Sequence, residues 1–209
     1  MIHDVDDALR ALIERDAVAG SGVEVSLDAP SKAWAARRSS PTVNVYLYDI
    51  REDVERRGAQ YEEVRRNVDG RDAVVDRRMP PRLFCLAYLV SAWTQRPEDE
   101  HRLLSAILAC LLRNPALPRE LLSGSLAGDP AGGTPPPLVK MTVGLPASKD
   151  RKTSDVWGAL GGELKPALDV VITAPFDPQM RQEVGPLVTQ PPVVHVRDAD
   201  RQLRRGRRR

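Results

Sequence analysis

The chain has 209 residues, of which 42% are hydrophobic and 29% are charged. This length and composition fit one globular domain, or one domain with an appendage, and exclude a chain that is disordered throughout. Aromatic residues make up only 4%, which leaves few side chains to stack on bases or sugars. The formal net charge of +2 hides an asymmetry, because residues 201–209 contain six arginines and no acid. The rest of the chain is net negative, so this end alone has the composition of a nucleic-acid-binding segment.

The first predicted element is an amphipathic helix at the beginning of the sequence. Three acids, Asp4, Asp6 and Asp7, fall in its first turn, where the helix dipole favours negative charge. Signal and transit peptides begin with basic residues, so this acidic beginning predicts a soluble, cytoplasmic protein. The apolar stripe that would face the core consists of Val5, Ala8, Leu9, Leu12 and Ile13.

Two segments with alternating polarity, residues 23–27 and 42–50, predict a pair of strands. On the second strand Val43 and Val45 point to one face, and the residues between them point to the other. The loop that joins the two strands contains Trp34, which we expect to be exposed.

Residues 51–78 are rich in charge and predict a polar hairpin with Asp69 and Gly70 as its turn. Charge alone leaves two interpretations open. The hairpin is either a solvated element or a subunit interface in which alternating charges form ion pairs.

The run at residues 83–93 contains no charge. A membrane-spanning helix needs about 20 apolar residues, whereas Arg82 and Arg96 enclose a much shorter segment. Apolar residues at both odd and even positions favour a central strand covered on both faces, with a buried helix as the alternative. Cys85 lies in this run and Cys110 in a later apolar segment. We expect both to be core cysteines, since nothing supports a disulfide.

A long helix should follow, with Pro97 as its first residue and an end at Asn114 and Pro115. The stripe that would pack on the sheet consists of Leu103, Leu104, Ile107, Leu108, Leu111 and Leu112. Later predicted elements are a flexible loop at 123–137, strands at 138–145 and 167–176, and a short helix at 153–160. Thr153 or Ser154 would cap this helix, and Trp157 would pack beneath it.

No pattern of catalytic or metal-binding residues stands out in the sequence. The histidines His3, His101 and His195 are scattered, and none is paired at metal-ligand spacing. The chain has no G-x-S-x-G, H-E-x-x-H or Walker-type motif. The acidic clusters at 4–7 and 98–100 fall in the first turns of predicted helices, which already explains them. We therefore expect no catalytic residue, no metal and no cofactor.

Several segments, in order, resemble a known family. They are MIHDVDDALRALI, SPTVNVYLYDIRED, PPRLFCLAYLVSAWTQRPEDEHRLLSAILACLLRNPALP and DVWGALGGELKPALDVVIT. Together they are similar to the cap, or tail-terminator, proteins of phage-tail-like contractile injection systems, in their N-terminal-domain type. The resemblance covers residues 1–175, and its most specific part is PPRLFCLAYLVSAW followed by EDEHRLLSAIL and NPALP.

The resemblance implies an α/β (α+β) fold, with a small mixed, mostly antiparallel sheet on which a long helix and an N-terminal helix pack. We expect residues 1–176 to form a globular cap domain and residues 177–209 to form a proline-rich extended arm with a basic tail. The implied function is structural: a ring of six copies sits on the inner tube, ends its growth and links it to the last sheath layer. The implied partners are further copies of the chain, the tube protein and the sheath protein, without a small-molecule substrate, a membrane or nucleic acid.

The strand-like sequence PPVVHVR at 191–197 suggests how the arm works. We expect it to add as a strand to an exposed sheet edge of the sheath or of a neighbouring cap. The residues assigned to this interface are Val193, Val194, His195, Val196, Arg197, Arg204, Arg205 and Arg207. One alternative is a nucleic-acid-binding accessory protein that acts through the arginine-rich tail, since arginine binds phosphate well. An enzyme with a diffuse active site is a second alternative, to which no motif points.

Overall fold

A computed structural model describes most of the chain. The residues described are 1–58, 60–68, 71–128, 135–145, 152–177 and 181–183. They fall into two compact units. The first contains Met1–Tyr61 and the described residues from Met79 to Asp177, and the second contains Glu62–Arg78 with the strand Arg181–Glu183.

The elements are numbered in chain order. The strands are β1 (Glu24–Ser26), β2 (Thr42–Glu52), β3 (Glu62–Val68), β4 (Arg71–Arg78), β5 (Arg82–Trp93), β6 (Lys140–Val143), β7 (Ala167–Phe176) and β8 (Arg181–Glu183). The α-helices are α1 (Ile2–Asp16), α2 (Lys32–Ala35), α3 (Pro97–Arg113) and α4 (Thr153–Ala159).

The first unit is built on a mixed sheet with the strand order β1-β2-β5-β7-β6. Strand β1 runs parallel to β2, and the other neighbours are antiparallel. This arrangement confirms the predicted α+β class with a mostly antiparallel sheet. It also confirms the predicted pairing of the segments at 23–27 and 42–50.

Strand β5 is the central strand, as its uniform apolar sequence predicts, and the buried-helix alternative is wrong. Leu86, Tyr88 and Val90 face the main core, which α1 and α3 cover. Ala87 and Leu89 point to the opposite face and are buried as well. Each buried Leu or Val stabilises the fold by about 1.5–3 kcal/mol, so this strand is a large part of the core free energy.

Helix α1 is fixed to the rest of the first unit by Asp4 and Asp6. Of the three acids predicted for the first turn, only Asp4 lies there, because the helix already begins at Ile2. Asp6 accepts a 2.7 Å hydrogen bond from the Tyr88 hydroxyl, and burial together with this bond raises the pKa of Tyr88. Asp4 is buried and accepts hydrogen bonds from the Ser125 hydroxyl and backbone N–H at 2.6 and 3.1 Å. The Met1 ammonium lies 2.9 Å from the same carboxylate.

These contacts set the pKa of Asp4. Burial alone would raise it, but the Ser125 hydroxyl, the Met1 ammonium and the Ser125 N–H together lower the pKa of Asp4 to about 2. They also show that part of the predicted loop at 123–137 is ordered, because Gly124–Leu126 is a 3₁₀ turn and Leu126 is fully buried. The apolar stripe predicted for α1 is buried throughout.

The stripe predicted on α3 is too wide. Leu104, Ile107 and Leu111 are buried, but Leu112 is 65% exposed. Successive helical residues point about 100° apart, so the side chain after a central core residue turns away from the sheet. Cys110 takes the core position instead. The predicted beginning at Pro97 and the end before Asn114 are confirmed.

Two smaller expectations need correction. Helix α4 begins at Thr153, so Lys152 is its N-cap residue and no side chain caps it. Both cysteines are free, as expected, but only Cys110 is fully buried. Cys85 is half-buried, and its Sγ lies 3.8 Å from Thr173 Oγ1 on the next strand.

The second unit contains the predicted polar hairpin. Strands β3 and β4 are antiparallel with Val68 opposite Arg71, and β8 adds to the other edge of β4. The predicted turn residues, Asp69 and Gly70, lie outside the described residues. The boundary predicted at 176 and 177 stays a prediction.

Candidate interaction surfaces

The loop between β1 and β2 folds back onto the first unit and buries Trp34. Ser31 caps the short helix α2 by accepting a hydrogen bond from the Trp34 N–H at 3.2 Å. The Trp34 indole N–H donates to Asp28 at 3.1 Å. Trp34 is only 3% exposed, so the expectation of an exposed tryptophan is wrong.

Trp34 belongs to a tryptophan cluster with Trp93 and Trp157. The Trp93 ring lies 5.3 Å from Trp34 in an edge-to-face arrangement and 6.1 Å from Trp157. The Arg38 guanidinium lies 4.8 Å from the centre of the Trp34 ring, and the Lys165 ammonium lies 4.2 Å from the centre of the Trp93 ring. Cation–π contacts of this kind add to the burial energy of the rings. The three tryptophans are far apart in the sequence, so no local pattern reveals the cluster.

Glu100 connects the tryptophan cluster to helix α3. It accepts a 2.6 Å hydrogen bond from the Lys165 ammonium and a 3.2 Å hydrogen bond from the Thr94 N–H. Both side chains of this ion pair are mostly buried. The acid at position 100 therefore joins the end of β5, the first turn of α3 and the segment before β7, which agrees with the structural explanation of the 98–100 cluster.

A cleft of about 620 Å³ lies beside the tryptophan cluster. Its walls come from the segment before β2 and from the end of β5 and the beginning of α3. Trp93 and Leu103 contribute apolar surface. The charged residues that line it are Arg38, Arg96, Arg102 and Asp99.

The arginines of this cleft differ in how they are held. Arg38 forms an ion pair with Glu24 at 3.1 Å. Arg102 pairs with Asp99 at 3.0 Å on the surface. Arg96 has no acidic partner among the residues that the structure describes. The cleft thus has a positive lining with one arginine uncompensated.

The opposite end of the same sheet exposes an apolar end patch, which consists of Ile50, Phe84 and Phe176. Ile50 pairs with Leu86 across the strands, and Phe176 pairs with Arg82, so all three side chains lie on the helix-covered face. Phe84 and Phe176 pack edge to face at 5.9 Å. Ile50 and Phe176 are 45% and 43% exposed, so neither helix covers this end of the face.

Where the structure describes the charged side chains of residues 51–78, most of their ion pairs lie within this segment. In the second unit Arg78 contacts Glu62 at 3.1 Å and Arg77 contacts Glu63 at 3.6 Å. The charges of Glu62 and Glu63 are therefore already neutralised by arginines of the same hairpin, rather than left for a neighbouring subunit to pair with. These pairs agree better with a solvated hairpin than with an interface built on alternating ion pairs.

The interface residues predicted from the sequence lie outside the described residues. These are Val193, Val194, His195, Val196, Arg197, Arg204, Arg205 and Arg207.

Two of the three histidines lie within the described residues. His3 is exposed beside Asp4, and His101 is exposed on α3. Within the described ranges no group of three His, Cys, Asp or Glu side chains could hold a metal ion. Every helix in that part of the chain is too short or too polar to cross a bilayer.

Two solved structures share this fold. One is the sheath/tube terminator of PVC, an extracellular contractile injection system, in its extended state; it matches 95% of this chain with a TM-score of 0.66 and 20% identity. The other is the anti-feeding prophage cap, a tube-terminating cap, which matches 93% of this chain with a TM-score of 0.60 and 19% identity. The chain spans 65% and 62% of the lengths of these two proteins. The search of curated proteins gave no match.

The sequence also matches a family model, that of the Pvc16 N-terminal domain, over residues 4–190. This match covers the segments on which the resemblance to cap proteins rests, except for the first three residues, and it ends beyond residue 175. The chain therefore belongs to the Pvc16 N-terminal domain family.

Proposed function

We propose that this chain is a structural cap that ends the inner tube of a contractile injection system. The observation that carries the proposal is the fold shared with two tube terminators over 95% and 93% of the chain. A cap acts by binding and by blocking further addition, so it needs a rigid body and defined surfaces rather than a reactive site. The doubly covered strand β5 and the long helix α3 supply such a body.

The cap forms a ring of six copies in this proposal, as the resemblance to the family implies. A ring of identical subunits repeats each surface around an axis, so a weak contact by one copy becomes a strong contact by the whole ring. One face of the ring covers the last layer of the tube, and the opposite face offers no site for another tube subunit. The outer rim holds the last sheath layer.

We assign the apolar end patch to the contacts that form on assembly. Exposed apolar patches on soluble proteins mark interaction surfaces more often than chance would give. Ile50 and Phe176 supply apolar area, and the edge-to-face pair of Phe84 and Phe176 keeps it in one shape. Burial of this patch by tube or by a neighbouring cap would add binding free energy without a change in the fold.

The sequence PPVVHVR at 191–197 remains our proposed sheath-binding arm, with the arginines that follow it as additional contacts. Deletion of residues 191–209 leaves the described strand β8 in place and removes the proposed arm. The sheath should then separate from the tube end in purified particles, while the cap still binds the tube. Unchanged sheath attachment would remove the arm from the proposal.

The cap role itself is tested in particles that lack this chain. Tubes should then vary in length, and the sheath should be loose at one end in electron micrographs. Native mass spectrometry of the purified chain, with and without tube, should show a complex of six copies. The proposed function would be contradicted if particles that lack the chain had tubes of normal length. It would also be contradicted if the purified chain stayed monomeric when tube is added.

A further inference from the structure

We infer that the basic cleft beside the tryptophan cluster binds an extended acidic segment of another protein, which inserts one apolar side chain between Trp93 and Leu103. This inference concerns a surface that the cap proposal does not use. Its volume of about 620 Å³ is in the range of protein ligand sites, and a lining that combines apolar side chains with a few charged ones is typical of such sites.

The charges of the cleft select the chemistry of the ligand. Three arginines, Arg38, Arg96 and Arg102, line it against a single acid, Asp99. Guanidinium groups bind carboxylates with paired hydrogen bonds, which makes arginine the usual partner of acidic side chains at interfaces. Arg96 is the strongest candidate for the first contact, because among the described residues it has no acidic partner.

The walls of the cleft are already in place before a ligand arrives. The Thr94 hydroxyl donates to the Arg96 carbonyl oxygen at 2.7 Å, and the Arg96 N–H donates back to the hydroxyl at 3.3 Å. On the opposite wall, Arg38 is held by Glu24 and by its stacking on Trp34. A preformed site avoids the entropy cost of ordering loops on binding.

The tryptophan in the cleft argues for a peptide and against nucleic acid. Single-stranded nucleic acid binds to basic grooves by stacking bases on open aromatic faces. The Trp93 ring is already in contact with the Lys165 ammonium and with the rings of Trp34 and Trp157. An apolar side chain of a peptide does not need an open ring face, because it can pack against the remaining edge of the Trp93 ring and against the Leu103 side chain.

The test uses the full chain and a fluorescein-labelled peptide of sequence DELFDE, with KRLFKR as the reversed-charge peptide. Fluorescence anisotropy should show binding of the acidic peptide only, weakened by added salt. Arg96→Glu should weaken it about tenfold, because one charge-assisted hydrogen bond is lost and a repulsive charge is added. Ser39→Trp, at an exposed position of the lining, should block the cleft by its volume.

Arg119→Glu is the matched control. It changes the charge by the same amount as Arg96→Glu, and Arg119 is exposed and does not line the cleft. It should leave the affinity unchanged within twofold. If both cleft variants bind the acidic peptide as well as the parent chain does, the peptide binds elsewhere, for example to the arginines at 201–209, and the inference is wrong. Equal binding of both peptides, or preference for a 20-nucleotide oligo(dT), would also overturn it.

Discussion

The Asp4 carboxylate accepts two hydrogen bonds from Ser125, a residue that lies 121 positions further along the chain. This contact joins the first turn of α1 to the 3₁₀ turn at Gly124–Leu126. The Met1 ammonium forms an ion pair with the same carboxylate. Since all three partners stabilise the ionised carboxylate, the stability of the first unit should depend on pH in the acidic range.

The first prediction concerns this pH dependence. The pKa of Asp4 falls from an ordinary value of 3.8 to about 2 on folding, so its stabilisation is complete above pH 3.8 and is lost as the pH falls toward 2. The contribution of the ionised Asp4 carboxylate to the free energy of unfolding amounts to about 2 kcal/mol.

Denaturation curves between pH 2 and pH 6 should show the loss of this contribution for the parent chain. Asp4→Asn should remove most of it, whereas Asp7→Asn, at a 61% exposed acid of the same helix, should not. Equal pH profiles for parent and Asp4→Asn would contradict the assignment.

The second prediction concerns Gly124. A Cβ atom at this position would lie 2.2 Å from Asp4 Oδ1, and the backbone φ is +55°. Gly124→Ala should therefore lower the unfolding free energy by about 2–3 kcal/mol, through strain and loss of the Asp4 contact together. Gly144→Ala is the matched control, because its φ is +61° and no atom lies within 4 Å of the added carbon. It should cost only about 1 kcal/mol, from backbone strain alone. Similar losses in both variants would show that the Asp4 contact adds nothing.

The third prediction separates two adjacent leucines of α3. Leu111 is 1% exposed and lies in the main core, whereas Leu112 is 65% exposed. Leu111→Ala should destabilise the fold by about 2–4 kcal/mol through the cavity that it leaves. Leu112→Ala should change stability by no more than about 0.5 kcal/mol. Urea denaturation of the two variants side by side measures the difference, and a large loss for Leu112→Ala would place the core face of α3 one residue away from its position here.

The fourth prediction concerns the apolar end patch. Phe176→Ser removes exposed apolar area and the contact with Phe84, at a cost in stability of about 1 kcal/mol. The folded chain should persist, but its incorporation into particles should fall several-fold, as measured by immunoblot of purified particles. Leu164→Ser, at a 70% exposed position outside the patch, should be incorporated normally. Normal incorporation of both variants would remove the patch from the assembly contacts.

Most of the elements could be predicted from local patterns. The stripe of α1 and the limits of α3 follow from helical spacing and from Pro97 and Asn114. The pattern at 167–176 predicts a strand with the limits that the structure has. These features depend on neighbours within a few residues, which the sequence displays directly.

The features that could not be predicted depend on contacts between distant segments. Trp34 is buried because its loop folds onto Trp93, and nothing in the loop sequence indicates this. The cleft combines Arg38 with Arg96 and Arg102, none of which is distinctive alone. In the sequence, Arg96 is distinctive only as the charge that ends an apolar run. The predicted interface residues, at 193–197 and at 204, 205 and 207, lie outside the described residues, so this interface stays a prediction.

The pairing of β8 with β4 has a consequence for synthesis on the ribosome. The hairpin of β3 and β4 can form once residue 78 has emerged, but the edge of β4 is covered only when Arg181–Glu183 has been translated. For the time needed to make about a hundred residues, that edge offers unpaired backbone groups to any other nascent chain. Two chains growing on one messenger can exchange β8, so a swapped dimer is the misassembled product to look for when the protein is overproduced.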